Sequence, residues 1–205
     1  MKFLKAFPFA VLFLLSSLFA LAGHGEPLEP RALVELTVDD VVADMKANAD
    51  VYTGSSDKLQ AMVLERLGSH FNFQRMTQLA MARHWADADD EQKVTISREF
   101  RKLLARTYAN SMFDYRNAPI KVVGEQKANA RSTIVKLRIA SQSGESVELL
   151  LRMENRNERW QVIDVVVGGI SLVITYRGVF NDKISQSGID GLITSLEQDN
   201  LDAGL

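Results

Sequence analysis

The sequence contains no cysteine. That excludes disulfide staples, thiolate nucleophiles and cysteine-ligated metal sites. Histidine is almost as scarce, with three residues, His24, His70 and His84. His24 falls in the lead-in to the domain, and His70 and His84, with no acid at metal-ligand spacing beside them, read as surface or helix-terminal side chains. No H-E-x-x-H, G-x-S-x-G or phosphate-binding glycine loop occurs. A strong charge of one sign is also missing: 24 basic groups face 26 acidic ones. A mixed, mildly acidic chain of this kind argues against a nucleic-acid partner. There is no internal repeat and no low-complexity tract.

The long apolar run is at the start. Lys2 and Lys5 precede Ala6 to Leu21, which is broken only by Pro8 and Ser16-Ser17. Ala20-Leu21-Ala22 then places small residues before Gly23, the pattern of a secretory signal peptide over residues 1–22. The alternative is an uncleaved anchor, for which the run is short. Cleavage would remove two of the 24 basic groups and leave 22 against 26 acidic, a formal charge of −4. The expected location is the bacterial periplasm. Residues 23–36, with Pro27 and Pro30, read as a flexible lead-in, and 37–200 as a single domain.

Within that domain the hydrophobic period is helical first. Thr37 suits an N-cap, with Asp39 and Asp40 in the first turn. Val38, Val41, Val42 and Met45 follow at helical spacing. Gly54-Ser55-Ser56 breaks the chain, and Leu59, Met62, Val63 and Leu67 mark a second helix. Asn72 suits the cap of a third, running toward Trp85. Asp89 and Gln92 form a capping-box pattern ahead of Ile96, Phe100, Leu103, Leu104, Tyr108, Met112 and Tyr115. Pro119 closes this longest helix. The period then falls to two. Thr133, Val135, Leu137 and Ile139 alternate with Lys136 and Arg138, and Val147, Leu149, Leu151 and Met153 with Glu148, Arg152 and Glu154. Turns at Ser143-Gly144 and Asn155 to Glu158 separate the strands, and Trp160 to Val167 is the last of them. After Gly168-Gly169 the helical period returns, with a break at Ser187-Gly188. Helices, then strands, then helices give an α+β fold: a curved antiparallel sheet of about four strands, with helices on one side enclosing an apolar pocket.

Chemistry-bearing groups are few. Asp164 lies inside an apolar strand, where a carboxylate needs a partner. Arg152 and Arg177 are candidates for an ion pair, and a backbone bond is the other structural role. Direct ligand contact is the remaining possibility. Ser171 lacks the following glycine of a nucleophile elbow and reads as a first-turn residue.

The run Trp160-Gln161-Val162-Ile163-Asp164-Val165-Val166-Val167-Gly168-Gly169-Ile170-Ser171-Leu172 resembles the W-x-V-x-D-V-x-x-x-G-I-S-L signature of the MlaC / toluene-tolerance (Ttg2-type) auxiliary family. Tyr176-Arg177 with Phe180, and Gly188-Ile189-Asp190 with Leu192, resemble the motifs that trail it. Phe71-Asn72-Phe73 through Trp85, then Gln92, Phe100-Arg101 and Tyr108, resemble its helical half. The resemblance covers about residues 35 to 198.

It implies a periplasmic carrier, not an enzyme, with phospholipid as cargo and no cofactor or metal. The implied partners are phospholipid, an inner-membrane MCE-type ABC transporter complex and an outer-membrane lipoprotein–porin complex. The candidate lipid-contacting set is Trp85, Phe100, Leu104, Tyr108, Val147, Leu149, Leu151, Arg152, Ile163, Val165, Ile170, Val173 and Ile174. These are expected to converge on one interior, with Tyr108 and Arg152 at its rim. The rival readings are a small pocket hydrolase or isomerase using Asp164 and Tyr108 as acid and base, and a scaffold with a dry core. Gly168-Gly169 is expected to let strand pass into helix without a Cβ in the way.

Overall fold

The structure is a computed structural model that describes residues 28–140 and 146–201. The segment read as a signal peptide and the turn read at Ser143-Gly144 lie outside the described residues.

Helix α1 spans Pro30–Ala47. It begins seven residues before the Thr37 start read from the sequence, inside the segment taken as a flexible lead-in. Pro30 is the reason: proline at the first helical position needs no N–H and has the right φ already. Thr37 is then mid-helix, its hydroxyl donating to the Leu33 carbonyl at 2.7 Å. Val34, Val41 and Met45 form the buried stripe. Helix α2 (Ala49–Thr53) is one short turn. Ser55 caps α3 (Ser56–Leu67) by accepting from the Lys58 N–H. Asn72 caps α4 (Phe73–Met81), accepting from the Arg75 N–H at 2.9 Å. A 3-10 turn over Ala82–Trp85 follows.

Helix α5 (Asp90–Asp114) starts on the capping box legible in the sequence. The Asp89 carboxylate accepts from the Gln92 N–H at 2.8 Å, and the Gln92 side chain accepts from the Asp89 N–H at 3.0 Å. One face of α5 buries Ile96, Phe100, Leu103 and Leu104, and the other buries Ala105, Ala109 and Phe113.

The sheet is an antiparallel meander of β1 (Ile120–Asn129), β2 (Ser132–Ala140), β3 (Ser146–Arg156) and β4 (Arg159–Val167). The two-residue β5 (Ile170–Ser171) adds a fifth strand beside β4. The register pairs Leu137 with Leu149 and Leu151 with Val165. It then shifts between Arg152 and Met153, so that Met153 faces Val162. This bulge keeps Val165 and Val162 both on the apolar face, although they are three residues apart. Lys136, Glu148 and Arg152 occupy the other face, where Lys136 and Glu148 form an ion pair. The outer edge of β4 is closed by β5 at one end. At the other end the Val162 N–H donates to the His70 carbonyl and the Asn72 N–H to the Val162 carbonyl. Little of that edge is left to pair with another chain.

Helix α6 runs Leu172–Leu201 with Gly188 at φ 73°, ψ −177° inside it. That conformation suits only glycine and divides α6 where the sequence suggested a break. The second half is tied to α5: the buried Asn200 amide donates to the Glu99 carboxylate at 3.0 Å and to its carbonyl at 3.1 Å.

Candidate functional site: an apolar interior divided between two layers

The apolar interior is not one cluster. Met76, Ile96, Phe100, Leu104, Val173, Phe180 and Leu192 join α4, α5 and α6. Val135, Leu137, Leu151, Met153 and Val162 form a second cluster on the sheet, covered by Val34 of α1. A third joins α1, α3 and the far face of α5. A domain of this size usually has one contiguous core. Here the sheet cluster and the α4–α5–α6 cluster share one packing residue, the half-buried Phe71, stacked on Phe73 at 5.6 Å. Helix α5 packs on α3, α4 and α6 but not to any comparable extent on the sheet. Apolar side chains on both layers remain half-buried: Ile120, Val122, Leu149 and Val165 on the strands, Tyr108, Leu172 and Tyr176 on the helices.

Where β4 hands the chain to α6, Asp164 is 3% exposed and fully committed. One oxygen accepts from the Ser171 hydroxyl at 2.7 Å and the other from the Val173 N–H at 3.1 Å. Ser171 in turn accepts from the Ile174 N–H at 3.1 Å, capping α6. The Arg152 guanidinium stands 3.9 Å away and is half-exposed. Asp164 is therefore the anchor of a helix N-terminus. No imidazole stands between it and Ser171, as an activated serine would require.

Gly168 and Gly169 have φ of 56° and 87°. They form a two-residue hairpin turn, which pairs Val167 with Ile170 and needs positive φ at both positions. Nothing lies within 4 Å of where a Cβ would stand on either. The expected reason, a close approach of chains, is thus replaced by backbone conformation. Ile170 belongs to β5, not to the helix.

A small polar group lies between α5 and α6. The Tyr176 hydroxyl meets those of Thr107 and Tyr108, and burial, then Tyr108, pushes its pKa up. Its ring packs edge-on to Phe100 at 4.8 Å. The nearby Arg106 keeps one buried guanidinium nitrogen without a hydrogen-bond partner.

The expected lipid-contacting residues therefore divide. Phe100, Leu104 and Val173 are buried in the helical cluster, with Trp85 and Tyr108 packed at its margin. Leu151 is buried in the sheet cluster, with Leu149 and Val165 at its margin. Val147 and Ile163 are half-buried. Arg152 is on the sheet face opposite Leu151, half-exposed beside Asp164. Ile170 and Ile174 are 66% and 58% exposed and line no interior. The residues expected at one interior thus fall in two clusters and at an exposed tip. The periodicity was right; strand parity and the β4 bulge, which set each side chain's face, are not legible as spacing alone. Phe71, Leu172 and Tyr176, half-buried at the cluster margins, were not among the expected residues, and the α1 stripe was read without its first turns at Pro30 and Val34. Pro30 followed by Val34 and Val41 was the available signal for the last.

Two surface cavities are also formed. One of about 390 Å³ lies between the end of α4 and α6, and the other, of about 570 Å³, is lined by Asp89, Gln92, Thr95, Arg98 and Glu197 among others. Neither lies between the sheet and α5. Among the described residues, no helix is long and apolar enough to cross a membrane.

Comparison with known proteins places this architecture. A curated toluene tolerance protein, ttg2D of Pseudomonas putida, is 23% identical over 162 residues, 78% of this chain and 75% of its own. The intermembrane phospholipid transport system binding protein MlaC of Haemophilus influenzae is 23% identical over 173 residues, 82% of this chain and 81% of its own. The solved structure of a phospholipid-binding protein from Ralstonia solanacearum, in complex with a phospholipid, is 32% identical. It superposes with a TM-score of 0.80, covering 87% of this chain and 100% of that one. The sequence profile of the MlaC protein family matches residues 35–198, and the chain belongs to that family.

Proposed function

We propose that the chain is a periplasmic carrier that holds phospholipid acyl tails between its sheet and its α5–α6 layer. The observation that supports this most is the division of the interior. The sheet cluster and the α4–α5–α6 cluster share Phe71 as a packing residue, and the apolar side chains at their margins are only partly buried. A dry-core scaffold would merge those clusters. Membership of the MlaC family and likeness to a protein solved with a bound phospholipid point the same way.

The energetics set the task. Each methylene buried from water is worth about 0.8 kcal/mol, so two tails of about 15 methylenes each cost roughly 24 kcal/mol to expose. A slot lined by Leu149, Val165, Leu172 and Tyr176 replaces water with non-directional contacts, which tolerate varied chain lengths. Such contacts also permit release, because no fixed polar partner holds the tails. The Tyr176–Tyr108–Thr107 hydroxyls and the unpaired Arg106 nitrogen are the polar groups nearest the helical wall, and suit a glycerol or phosphate oxygen at the slot's margin.

The cargo would pass between an inner-membrane MCE-type transporter complex and an outer-membrane lipoprotein–porin complex. A passive carrier supplies no energy, so direction belongs to those partners. The pocket-enzyme alternative loses its acid: the Asp164 oxygens are occupied by Ser171 and Val173.

Filling the slot tests the reading. Leu149→Trp and Val165→Trp should lower the phospholipid extracted from purified protein severalfold while the protein stays folded by circular dichroism. Full lipid content in both folded variants would contradict the sheet as a slot wall.

A further inference from the structure

The β4–β5 hairpin leaves an apolar tip in the open. Val167 and Ile170, paired across it, are 37% and 66% exposed, and Ile174 on the next turn is 58% exposed. Val167 is paired with Leu149 and follows Val165 on the same strand face. The tip is therefore continuous with the half-buried side chains proposed above to hold tails. Aliphatics exposed in this way at one end of an apolar path mark a contact surface.

Beside Ile174 runs the cavity of about 390 Å³, lined by Met81, Ala82, Arg83, His84, Arg177 and Asn181 among others. Ala82 has φ 50°, a conformation non-glycine residues seldom hold; it ends α4 and sets Arg83 and His84 against α6. The two guanidiniums are bound to neutral acceptors. Arg83 donates to the Asn181 side-chain oxygen at 3.1 Å and Arg177 to the Leu79 carbonyl at 3.1 Å. No carboxylate lines the cavity; the nearest acid in sequence, Asp182, is exposed and accepts from the Asn181 amide. Two arginines without an ion pair among the described residues, flanking an apolar floor on a chain whose net charge is −2, suit an anionic phosphodiester attached to hydrocarbon.

We propose that this face docks on a phospholipid bilayer surface carrying anionic lipid. Val167, Ile170 and Ile174 enter the interface while Arg83 and Arg177 take lipid phosphates. The proposal rests on the carrier reading and adds the end through which cargo enters and leaves.

The test is sedimentation of the purified protein with vesicles of phosphatidylcholine, with and without phosphatidylglycerol. Wild type should bind the anionic vesicles and bind more weakly as salt is raised. Arg83→Gln with Arg177→Gln, and separately Ile170→Ser with Ile174→Ser, should each lower partition by about tenfold or more, given what each basic or apolar group contributes at an interface. These side chains are exposed, so melting temperatures should hold. The arginine pair should leave the extracted phospholipid unchanged, since neither residue faces the slot; loss of binding with cargo retained separates docking from carrying. Protein left in the supernatant with anionic vesicles overturns the proposal and favours an acidic protein surface as the occupant. Unchanged binding by both variants overturns it too. Stabilisation by inorganic phosphate without vesicle binding would identify a free-anion site instead.

Discussion

At the scale of single residues, the buried charges are structural. Asp164 closes a short relay, carboxylate to Ser171 hydroxyl to Ile174 N–H, and adds the Val173 N–H directly. Removing the acceptor strands two buried donors, so Asp164→Ala should cost about 2 kcal/mol and Ser171→Ala about 1 kcal/mol in urea unfolding. Both variants should still carry phospholipid; an Asp164 variant that folds but loses it would reopen a direct role for the carboxylate. Glu99 is the second buried acid. Burial alone would raise its pKa, but Arg98, Lys102 and Asn200 outweigh that and hold it below the ordinary value. Tyr52 is the third case. Burial, then its bond to Asp44, pushes its pKa up to about 12, and that bond is the chief cause holding Asp44 below its ordinary 3.8. The signs are opposite. The Tyr52 contribution is complete below pH 10 and lost as pH rises through about 12. The Asp44 contribution is complete above 3.8 and lost as pH falls through its lowered value. Tyr52→Phe should therefore lower the melting temperature near neutral pH and make its fall across the acid range smaller; an unchanged acid profile would show that Asn48 and Arg66 suffice to hold Asp44.

At the scale of elements, punctuation residues decided most boundaries. Asn72, Ser55 and the Asp89/Gln92 box each cap the helix their types predict, because a side-chain acceptor for an orphan N–H is a local requirement. Pro30 was misread because proline marks both a loop and a first helical turn, and Val34 and Val41 beyond it settle which. Gly168-Gly169 was recognised as a switch of period, but its cause is positive φ in a hairpin rather than close packing. Gly188 carries the strongest local demand. At φ 73° and ψ −177° it lies where other residues are strained by about 1–3 kcal/mol. Gly188→Ala should destabilise by that order in urea unfolding. A neutral result would show that α6 can run straight, and would detach the Asn200–Glu99 tie from the kink.

At the scale of the whole molecule, the class of fold was legible, since a change of period from 3.6 to 2 and back fixes an α+β order. Which residues face one another was not. Alternation gives parity within a strand, but the β4 bulge shifts that parity between Val162 and Val165, and only the register shows it. Whether the interior holds cargo was equally invisible: a stripe such as Phe100-Leu104-Tyr108 looks alike whether it meets side chains or lipid. The structure shows two apolar clusters, one on the sheet and one on α4, α5 and α6, that share Phe71 as a packing residue, with Val167 and Ile170 exposed at the hairpin tip. The central claim is that lipid tails lie between those two clusters. Native mass spectrometry of the purified protein, followed by organic extraction of the same sample, measures it most directly. The account predicts a mass increment equal to one or more phospholipids on most chains, removed by extraction and identified as diacyl lipid in the extract. A population at the mass of the bare polypeptide, with no phospholipid in the extract, would contradict it.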